Sequence, residues 1–463
     1  MLFAVSLPAV TARLYSSDEV QYFSYLRSLW FDRDVSFENE YRYFYDHDIA
    51  QSPGYHETFL ERRTETGLRF NYGTIGCALL WSPFYGAADL WTRATGGAEP
   101  NGFSTPYIRA VAYGSAFYAF LAVLLSIRAA RSVVGERGPF AAGCAVWLGT
   151  PLLFYMYVAP PFSHACSAFG VAVFVSVWLQ VRRTWSARGA FALGLCAALL
   201  AMIREQDVFV ALGPAVDFTW SALGTTGAGS WTSGVRSGTK RVRRVTSGVG
   251  VALSGIAGVV IGYLPQLAAY NSLNGYPGPA SHVARKMFWH APHALQVLFS
   301  PAHGFFFWTP LALLAIAGLA LMRTRVATCL LIMSASQVYV AGSVASWTVA
   351  GAFGQRRFVG LTIILVIGLA ALWNAAITAR DHSQTAYGAR SYVLSALVIL
   401  TVWWNIALMA QFATGQMDRQ RLEPARNVYN AFVTLPLQTP SLIYRYLMER
   451  ESFYRSTPAK DAR

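Results

Sequence analysis

Long apolar stretches alternate with short polar ones along most of the chain. Ten of them approach or exceed the length of about 20 residues that a transmembrane helix needs. They cover residues 106–128, 139–158, 163–181, 189–203, 208–222, 248–269, 304–322, 326–345, 358–378 and 391–412. Residues 1–14 are also apolar and predict a first membrane helix. The pattern therefore predicts an all-α, polytopic integral membrane protein with about 11 transmembrane helices.

The polar stretches divide this chain into a transmembrane domain over residues 1–412 and a short external tail over residues 413–463. An external loop, 15–105, carries interfacial helices. Within it, apolar residues at three- and four-residue spacing predict an amphipathic helix on the membrane surface: Val20, Phe23, Leu26, Leu29 and Trp30. Residues 75–92 are apolar but contain Pro83 and Gly86, which favours an interfacial or re-entrant helix over a span.

Composition agrees with this class. Hydrophobic residues make up 54% of the chain and charged residues only 13%, whereas a soluble domain would have roughly a quarter charged. The net charge of +14 is uneven, because residues 15–72 are net −5. The basic excess indicates contact with anionic lipids, not with nucleic acid, since no basic soluble domain is present to bind it.

Basic residues concentrate in five loops between predicted spans. With an odd number of spans these loops all lie on one side, which the positive-inside rule makes cytoplasmic. The acidic first loop, residues 270–303, residues 346–357 and the tail then share the outer face. The five loops contain Arg128, Arg131 and Arg137; Arg182, Arg183 and Arg188; Arg236, Lys240, Arg241, Arg243 and Arg244; Arg323 and Arg325; and Arg380 and Arg390.

An acidic pair follows the first apolar run directly. Asp18 and Glu19 lie at the membrane rim, where a carboxylate loses hydration and must face water, a cation or a bound substrate. The pair therefore marks a candidate polar site at the membrane rim.

Two adjacent arginines, Arg356 and Arg357, lie at the outer membrane boundary, where positive charge is not favoured. They either contact lipid phosphates or form a bidentate clamp on a substrate phosphate, whose oxygens match the guanidinium fork. Gln355 precedes them and is a further candidate contact. Gly351 and Gly354 would let backbone amides approach the same ligand.

Other outer-face residues extend the candidate phosphate site. Arg204 lies in a charged break that is either a hydrated hairpin or a further phosphate contact. Lys286 and His303 belong to the 270–303 segment, and the turn around His303 predicts that this imidazole lies at the lip of the site. His164 fits a structural residue better than a catalyst. The His290-x-x-His293 spacing has no third ligand, so no metal site is assigned.

Nucleotide-binding and hydrolase motifs are absent from the sequence: there is no P-loop, no G-x-G-x-x-G after a strand and no G-x-S-x-G elbow. The energy for any reaction must therefore come with the substrate. A membrane enzyme that uses a lipid-phosphate donor meets this requirement.

Four stretches together resemble the GT-C superfamily of polytopic glycosyltransferases, particularly bacterial members near the dolichyl-phosphate-mannose protein mannosyltransferase and aminoarabinose transferase group. The resemblance in architecture covers nearly the whole chain. The stretches are Ser17-Asp18-Glu19; Tyr25-Leu26-Arg27-Ser28-Leu29 running into Asn39-Glu40-Tyr41; Ser300-Pro301-Ala302-His303-Gly304; and Phe353-Gly354-Gln355-Arg356-Arg357-Phe358.

The resemblance implies a glycosyltransferase that uses a polyprenyl-phosphate sugar donor at the external, periplasmic side of the inner (plasma) membrane. The acceptor would be a glycan, lipid or protein. Asp18 would act as base, with Glu19 as the second choice, and Arg356 and Arg357 would hold the phosphate. Some relatives use a divalent metal ion, but no residue here is assigned to one. The alternatives are a transporter or flippase of lipid-linked saccharides, or a non-catalytic subunit with the same fold.

Overall fold

The computed structural model describes residues 2–49, 53–224, 237–349, 351–378 and 384–453. In these ranges the regular structure is helical, and β-pairing is limited to two isolated bridges, Arg63 with Arg69 and Met287 with Val344. The all-α prediction is confirmed.

Helices of the N-terminal region and the first external loop are short except for the last. Residues 1–14 do not form one helix: the described part is helical to Ala9 and extended afterwards, because Pro8 cannot continue the backbone hydrogen bonding of an α-helix. The helices are α1 (Leu2–Ser6), α2 (Ser17–Arg27), α3 (Glu38–Asp46), α4 (Pro53–Tyr55) and α5 (Gly76–Thr95).

The helical bundle follows. Its helices are α6 (Thr105–Val134), α7 (Pro139–Leu148), α8 (Leu152–Tyr157), α9 (Ser163–Val181), α10 (Ala187–Ile203), α11 (Leu212–Gly224), α12 (Ser237–Asn274), α13 (Ser281–Ala284), α14 (Ala294–Phe299), α15 (Phe305–Trp308), α16 (Leu311–Met322), α17 (Arg325–Ser343), α18 (Thr362–Thr378) and α19 (Gln384–Thr414). The segment between the predicted spans 208–222 and 248–269 is thus helical from Ser237 onward.

Six helical segments of the described chain are long and apolar enough to cross a membrane: Thr105–Val134, Ser163–Val181, Gly248–Asn274, Arg325–Ser343, Arg356–Ala376 and Ser391–Thr414. Three shorter apolar helices, α7, α10 and α16, accompany them. The sequence predicted more full-length spans because it did not resolve the breaks before α8 and α16. Pro151 and Pro310 begin those two helices and interrupt the predicted spans 139–158 and 304–322. The chain is a multi-pass α-helical membrane protein.

Glycines bring two pairs of bundle helices into close contact. A Cβ at Gly194 of α10 would lie 2.1 Å from the carbonyl oxygen of Gly255 in α12. A Cβ at Gly318 of α16 would lie 1.9 Å from the carbonyl oxygen of Gly368 in α18. Small residues at these crossings allow the backbones to approach, as is common between membrane helices.

The buried apolar side chains form two large clusters. One fills the helical bundle, and the other lies in the external loop and is rich in aromatic residues. Val20, Phe23 and Leu26 of α2 are buried in the second cluster. The predicted helix is present, but its apolar face packs onto α3 and α5 instead of lying on the membrane. Beyond Arg27 the backbone makes a π-helical turn in which Leu29 and Trp30 remain exposed.

Contacts at one end of the bundle agree with the predicted common side of the basic loops. Arg182 and Arg325, from two of those loops, both bind the buried Asp217. Asn374 of α18 donates to the carbonyl oxygen of Val134, next to a third loop. Arg236 and Arg380 lie outside the described residues, as do the side chains of Lys240, Arg241, Arg243, Arg244 and Arg390.

The C-terminal segment forms one uninterrupted helical run. It consists of α20 (Pro424–Tyr429), a π-helical turn (Asn430–Thr434) and α21 (Leu435–Met448). This segment packs against α19 and extends toward the beginning of the chain, where Arg450 donates to the carbonyl oxygens of Pro8 and Ala9.

Candidate functional site

A capping box fixes the position of Asp18. Ser16 is the N-cap of α2, and its Oγ accepts from the backbone N–H of Glu19. The Glu19 carboxylate accepts in turn from the backbone N–H groups of Ser16, at 3.0 Å, and Tyr15, at 2.6 Å. This reciprocal arrangement satisfies free N–H groups at the start of a helix. It leaves the Asp18 side chain 41% exposed in the first turn.

The two predicted catalytic carboxylates therefore have different surroundings. Glu19 is fully buried, and burial raises the pKa of its carboxyl to about 8. One of its oxygens caps the helix, while the other, Oε1, has no hydrogen-bond partner within the described ranges. Asp18 is partly exposed to solvent, and a second charged side chain lies beside it. Of the two, Asp18 is better placed to meet a substrate.

Asp18 forms an ion pair with Arg356. The Arg356 Nη2 atom lies 2.9 Å from Oδ2 of Asp18, although the two residues come from opposite ends of the chain. Arg356 begins a 3₁₀ turn, Arg356–Leu361, that leads into α18, and its guanidinium lies over the ring of Phe162 at 5.3 Å. The structure thus brings the predicted base and one predicted phosphate ligand together.

Two further arginines lie near this pair. Arg357 donates to the carbonyl oxygen and Oγ of Ser346, at 2.9 and 3.1 Å. Arg204 lies at the end of α10 with its side chain only 8% exposed, and its Nη1 is 3.8 Å from Oδ1 of Asp207. The guanidinium group of Arg357 interacts electrostatically with those of Arg356 and Arg204.

The balance of charge in this cluster is positive. Three guanidinium groups face two carboxylates, and Asp207 is buried and also accepts from Oγ of Ser167 at 2.6 Å. Arg204 Nη1 is buried without a hydrogen-bond partner in the part of the chain described. A cluster with one excess positive charge and an unsatisfied guanidinium donor is suited to an anion such as a phosphate.

His164 and Tyr22 belong to the same cluster. His164 is buried among Tyr155 and Phe162, and its Nδ1 has no partner in the described structure. Its electrostatic neighbours are Arg204, Arg356 and Arg357. Burial raises the pKa of Tyr22, which interacts with Asp18 and Arg204 and bonds to Ser163. Tyr22 is not among the predicted site residues, because one tyrosine in a loop rich in aromatic residues has no distinguishing pattern.

His303 and Gln355 shape the loops behind the arginines. The imidazole of His303 is fully buried, stacks on Trp308 at 4.7 Å, and bonds through Nε2 to the carbonyl oxygen of Ala352 at 2.9 Å. Burial lowers its pKa. Gln355 Nε2 donates to the carbonyl oxygens of His303 and Trp347, at 3.2 and 3.1 Å. His303 therefore does not lie at the lip of the site, and both residues tie the 300–304 turn to the 346–357 loop.

Lys286 lies at the edge of the outer face. It is exposed, and its Nζ lies 5.5 Å from the centre of the Tyr72 ring. Its carbonyl oxygen accepts from the backbone of Ala345, next to the Ser346 that binds Arg357. The lysine thus lies near the rim of the cluster. In the described ranges, no group of three His, Cys, Asp or Glu side chains could hold a metal ion.

Comparisons with known proteins give distant likenesses only. No protein-family model matches the chain, and no curated protein does. Among solved structures, the chain is similar to ArnT from Cupriavidus metallidurans in the apo state, with 12% identity, a TM-score of 0.44 and coverage of 93% of this chain and 73% of that one. It is also similar to the same protein bound to undecaprenyl phosphate, with 11% identity, a TM-score of 0.46 and coverage of 99% and 81%. At such TM-scores neither likeness assigns an activity.

Proposed function

We propose that the protein is an integral-membrane glycosyltransferase of GT-C type, which transfers a sugar from a polyprenyl-phosphate donor to an acceptor on the external face of the plasma membrane. The observation that carries the proposal is the 2.9 Å contact between Asp18 and Arg356. A half-exposed carboxylate and a cluster of arginines lie in one place, as transfer from a lipid phosphate to a hydroxyl requires.

The chemistry follows from these two groups. As the acceptor oxygen bonds to the anomeric carbon, the Asp18 carboxylate takes the hydroxyl proton, and the bond from that carbon to the phosphate oxygen breaks. Attack opposite the leaving phosphate inverts the anomeric centre. Arg356, Arg357 and Arg204 stabilise the charge that grows on the leaving lipid phosphate.

Because Asp18 is paired with Arg356, binding of the donor phosphate would also affect the Asp18 carboxylate. In the ion pair, Asp18 and Arg356 neutralise each other. A donor phosphate competes for the same guanidinium, because charged bidentate contacts to phosphate are strong. Binding of the donor would then release the Asp18 carboxylate toward the acceptor. Removal of the Asp18 charge should accordingly not weaken phosphate binding, while it removes the base.

The experiment separates binding from transfer. Undecaprenyl phosphate affinity is measured by native mass spectrometry of the protein in nanodiscs, and envelope glycan products are compared in cells with and without each variant. Asp18→Asn is expected to reduce transfer by about 10²- to 10⁴-fold, the usual contribution of a general base. Its affinity for undecaprenyl phosphate should be equal or higher.

The matched control is Glu19→Gln, which keeps an oxygen for the helix cap and should keep most transfer activity. Unchanged glycan products in both the Asp18→Asn and the Glu19→Gln strain would contradict the enzyme proposal and leave a transporter, a flippase or a non-catalytic subunit. Loss of products in the Glu19→Gln strain with Asp18→Asn unaffected would move the base to Glu19.

A further inference from the structure

In the helical run from Pro424 to Met448, the amide side chains of Asn427, Asn430 and Gln438 are turned toward the protein. Asn427 Nδ2 donates to Oε1 of Gln411 at 2.9 Å, and both residues are buried. Gln416 Nε2 donates to Oε1 of Gln438 at 2.7 Å, and Asn430 Nδ2 donates to the carbonyl oxygen of Gln416 at 3.2 Å. These polar side chains of the segment therefore have their hydrogen-bond partners at the C-terminal end of α19 and just after it.

The outward face of the same run is apolar. Residues 427–444 contain no charged residue, while Arg426 and Arg445 flank them on either side. Each of the following side chains is at least 42% exposed: Val428, Tyr429, Phe432, Val433, Leu437, Ile443, Tyr444, Leu447 and Met448. A surface helix in water has the opposite arrangement, with its apolar stripe toward the core. This arrangement requires an apolar environment outside the segment.

We propose that the helical run from residue 427 to residue 448 is embedded in the outer leaflet of the bilayer as an interfacial helix whose exposed face contacts lipid acyl chains. The segment packs against α19, a candidate span, through a bond of 3.1 Å from Trp403 Nε1 to the carbonyl oxygen of Ala431. Next to this contact, Ile399 and Leu400 of α19 are exposed as well. The apolar surface of the span thus continues onto the tail, and lipid is the occupant that covers both.

The ends of the segment fit the same placement. Arg426 is exposed and pairs with Glu423, so the charged entrance lies in the head-group region. Arg450, just beyond the other end, donates to the carbonyl oxygens of Pro8 and Ala9. The embedded helix thereby links the last span to the backbone that precedes α2. This inference does not depend on the proposed function.

The test places a nitroxide spin label on single introduced cysteines, in the full chain reconstituted into vesicles of phosphatidylcholine and phosphatidylglycerol. Leu437→Cys and Leu447→Cys probe the apolar face, and Arg426→Cys is the matched control at the polar flank. The native cysteines are buried or half-buried, so the signal of unsubstituted protein treated in the same way is subtracted. Collision of each label with oxygen, which concentrates in lipid, is compared with collision with a water-soluble nickel chelate.

Labels at 437 and 447 are expected to collide with oxygen several-fold more, relative to the nickel chelate, than the label at 426. Equal nickel access at all three positions would overturn the proposal and place the segment in water. Spin–spin broadening at 437 that disappears on dilution with unlabelled protein would overturn it in favour of a second copy of the chain. If the Leu437→Cys variant does not fold, the ratio of oxygen to nickel-chelate collision at position 447 decides between lipid and water in the same way.

Discussion

The two ends of the helical bundle each join aspartate to arginine, with opposite surroundings. At the end that holds the basic loops, Asp217 is buried and accepts from Trp178 at 3.1 Å and from Arg182 at 3.0 and 3.2 Å, and Arg325 lies 2.6 Å away. At the opposite end, Asp18 is 41% exposed, and Arg356 is the partner that the structure records for its carboxylate within the described residues.

The difference separates a structural ion pair from a site. Asp217 connects α9, α11 and α17, and its two arginines leave it no capacity for a ligand. The Asp18 cluster keeps capacity, since Arg204 Nη1 and His164 Nδ1 are buried without hydrogen-bond partners in the part of the chain that the structure covers. Arg325 Nε at the Asp217 end also lacks a hydrogen bond, but it lies 2.6 Å from the Asp217 carboxylate. Buried polar groups are normally satisfied, so such a concentration next to an open carboxylate indicates a place for a ligand.

The largest expected effect comes from making the same substitution at both ends. Asp217→Ala leaves two arginines without their carboxylate and should lower the free energy of unfolding by about 3 kcal/mol, near the low end for a broken buried pair because both arginines are partly exposed. Asp18→Ala should cost less than about 1 kcal/mol, as for an exposed pair. Thermal unfolding in detergent measures both, and similar losses would invalidate the comparison.

An arginine substitution at each end sharpens the contrast. Arg356→Gln should weaken undecaprenyl phosphate binding by roughly 10- to 100-fold, which corresponds to a hydrogen bond to a charged group of about 1.5–3 kcal/mol, with little change in melting temperature. Arg182→Gln should lower the melting temperature and leave affinity unchanged, since Asp217 retains Arg325 and Trp178. Native mass spectrometry and thermal unfolding of both variants would show whether Arg356→Gln changes mainly the phosphate affinity and Arg182→Gln mainly the melting temperature.

A smaller effect concerns Glu40, a buried carboxylate on the outer side. It pairs with Arg27 at 3.1 Å, and burial raises its pKa from an ordinary value of 4.5 to about 7, against the effect of Arg27. The folded state therefore binds this proton more tightly than the unfolded state does. The resulting stability is fully present below pH 4.5 and is lost as pH rises through about 7.

The melting temperature should accordingly fall between pH 5 and pH 8, and Glu40→Gln should flatten that fall. A remaining slope up to about pH 8 belongs to Glu19, whose pKa is shifted in the same direction. An unchanged slope of melting temperature against pH in Glu40→Gln would show that Glu40, although buried like Asp217, does not contribute to the pH dependence of stability.

Parts of the fold and site were predictable from local pattern. The apolar runs predicted helices, and the basic loops predicted that Arg182 and Arg325 lie on one side, where both reach Asp217. Asp18 and Arg356 were selected because charge at a membrane rim is costly. The breaks before Pro151 and Pro310 were missed, since average hydropathy is insensitive to a single interrupted turn. The burial of the α2 apolar face was missed because spacing shows a face but not its partner.

The sequence by itself determined the class of protein, because crossing a bilayer imposes length and hydropathy on each segment without regard to its neighbours. It also determined which charged residues lie at the membrane rim, where the loss of hydration costs free energy. Glu19 caps its own helix through a local contact, whereas only the tertiary structure decided that Asp18, one residue earlier, reaches Arg356. Adjacent residues of a helix point in different directions, and contacts between distant segments depend on packing that no local pattern specifies.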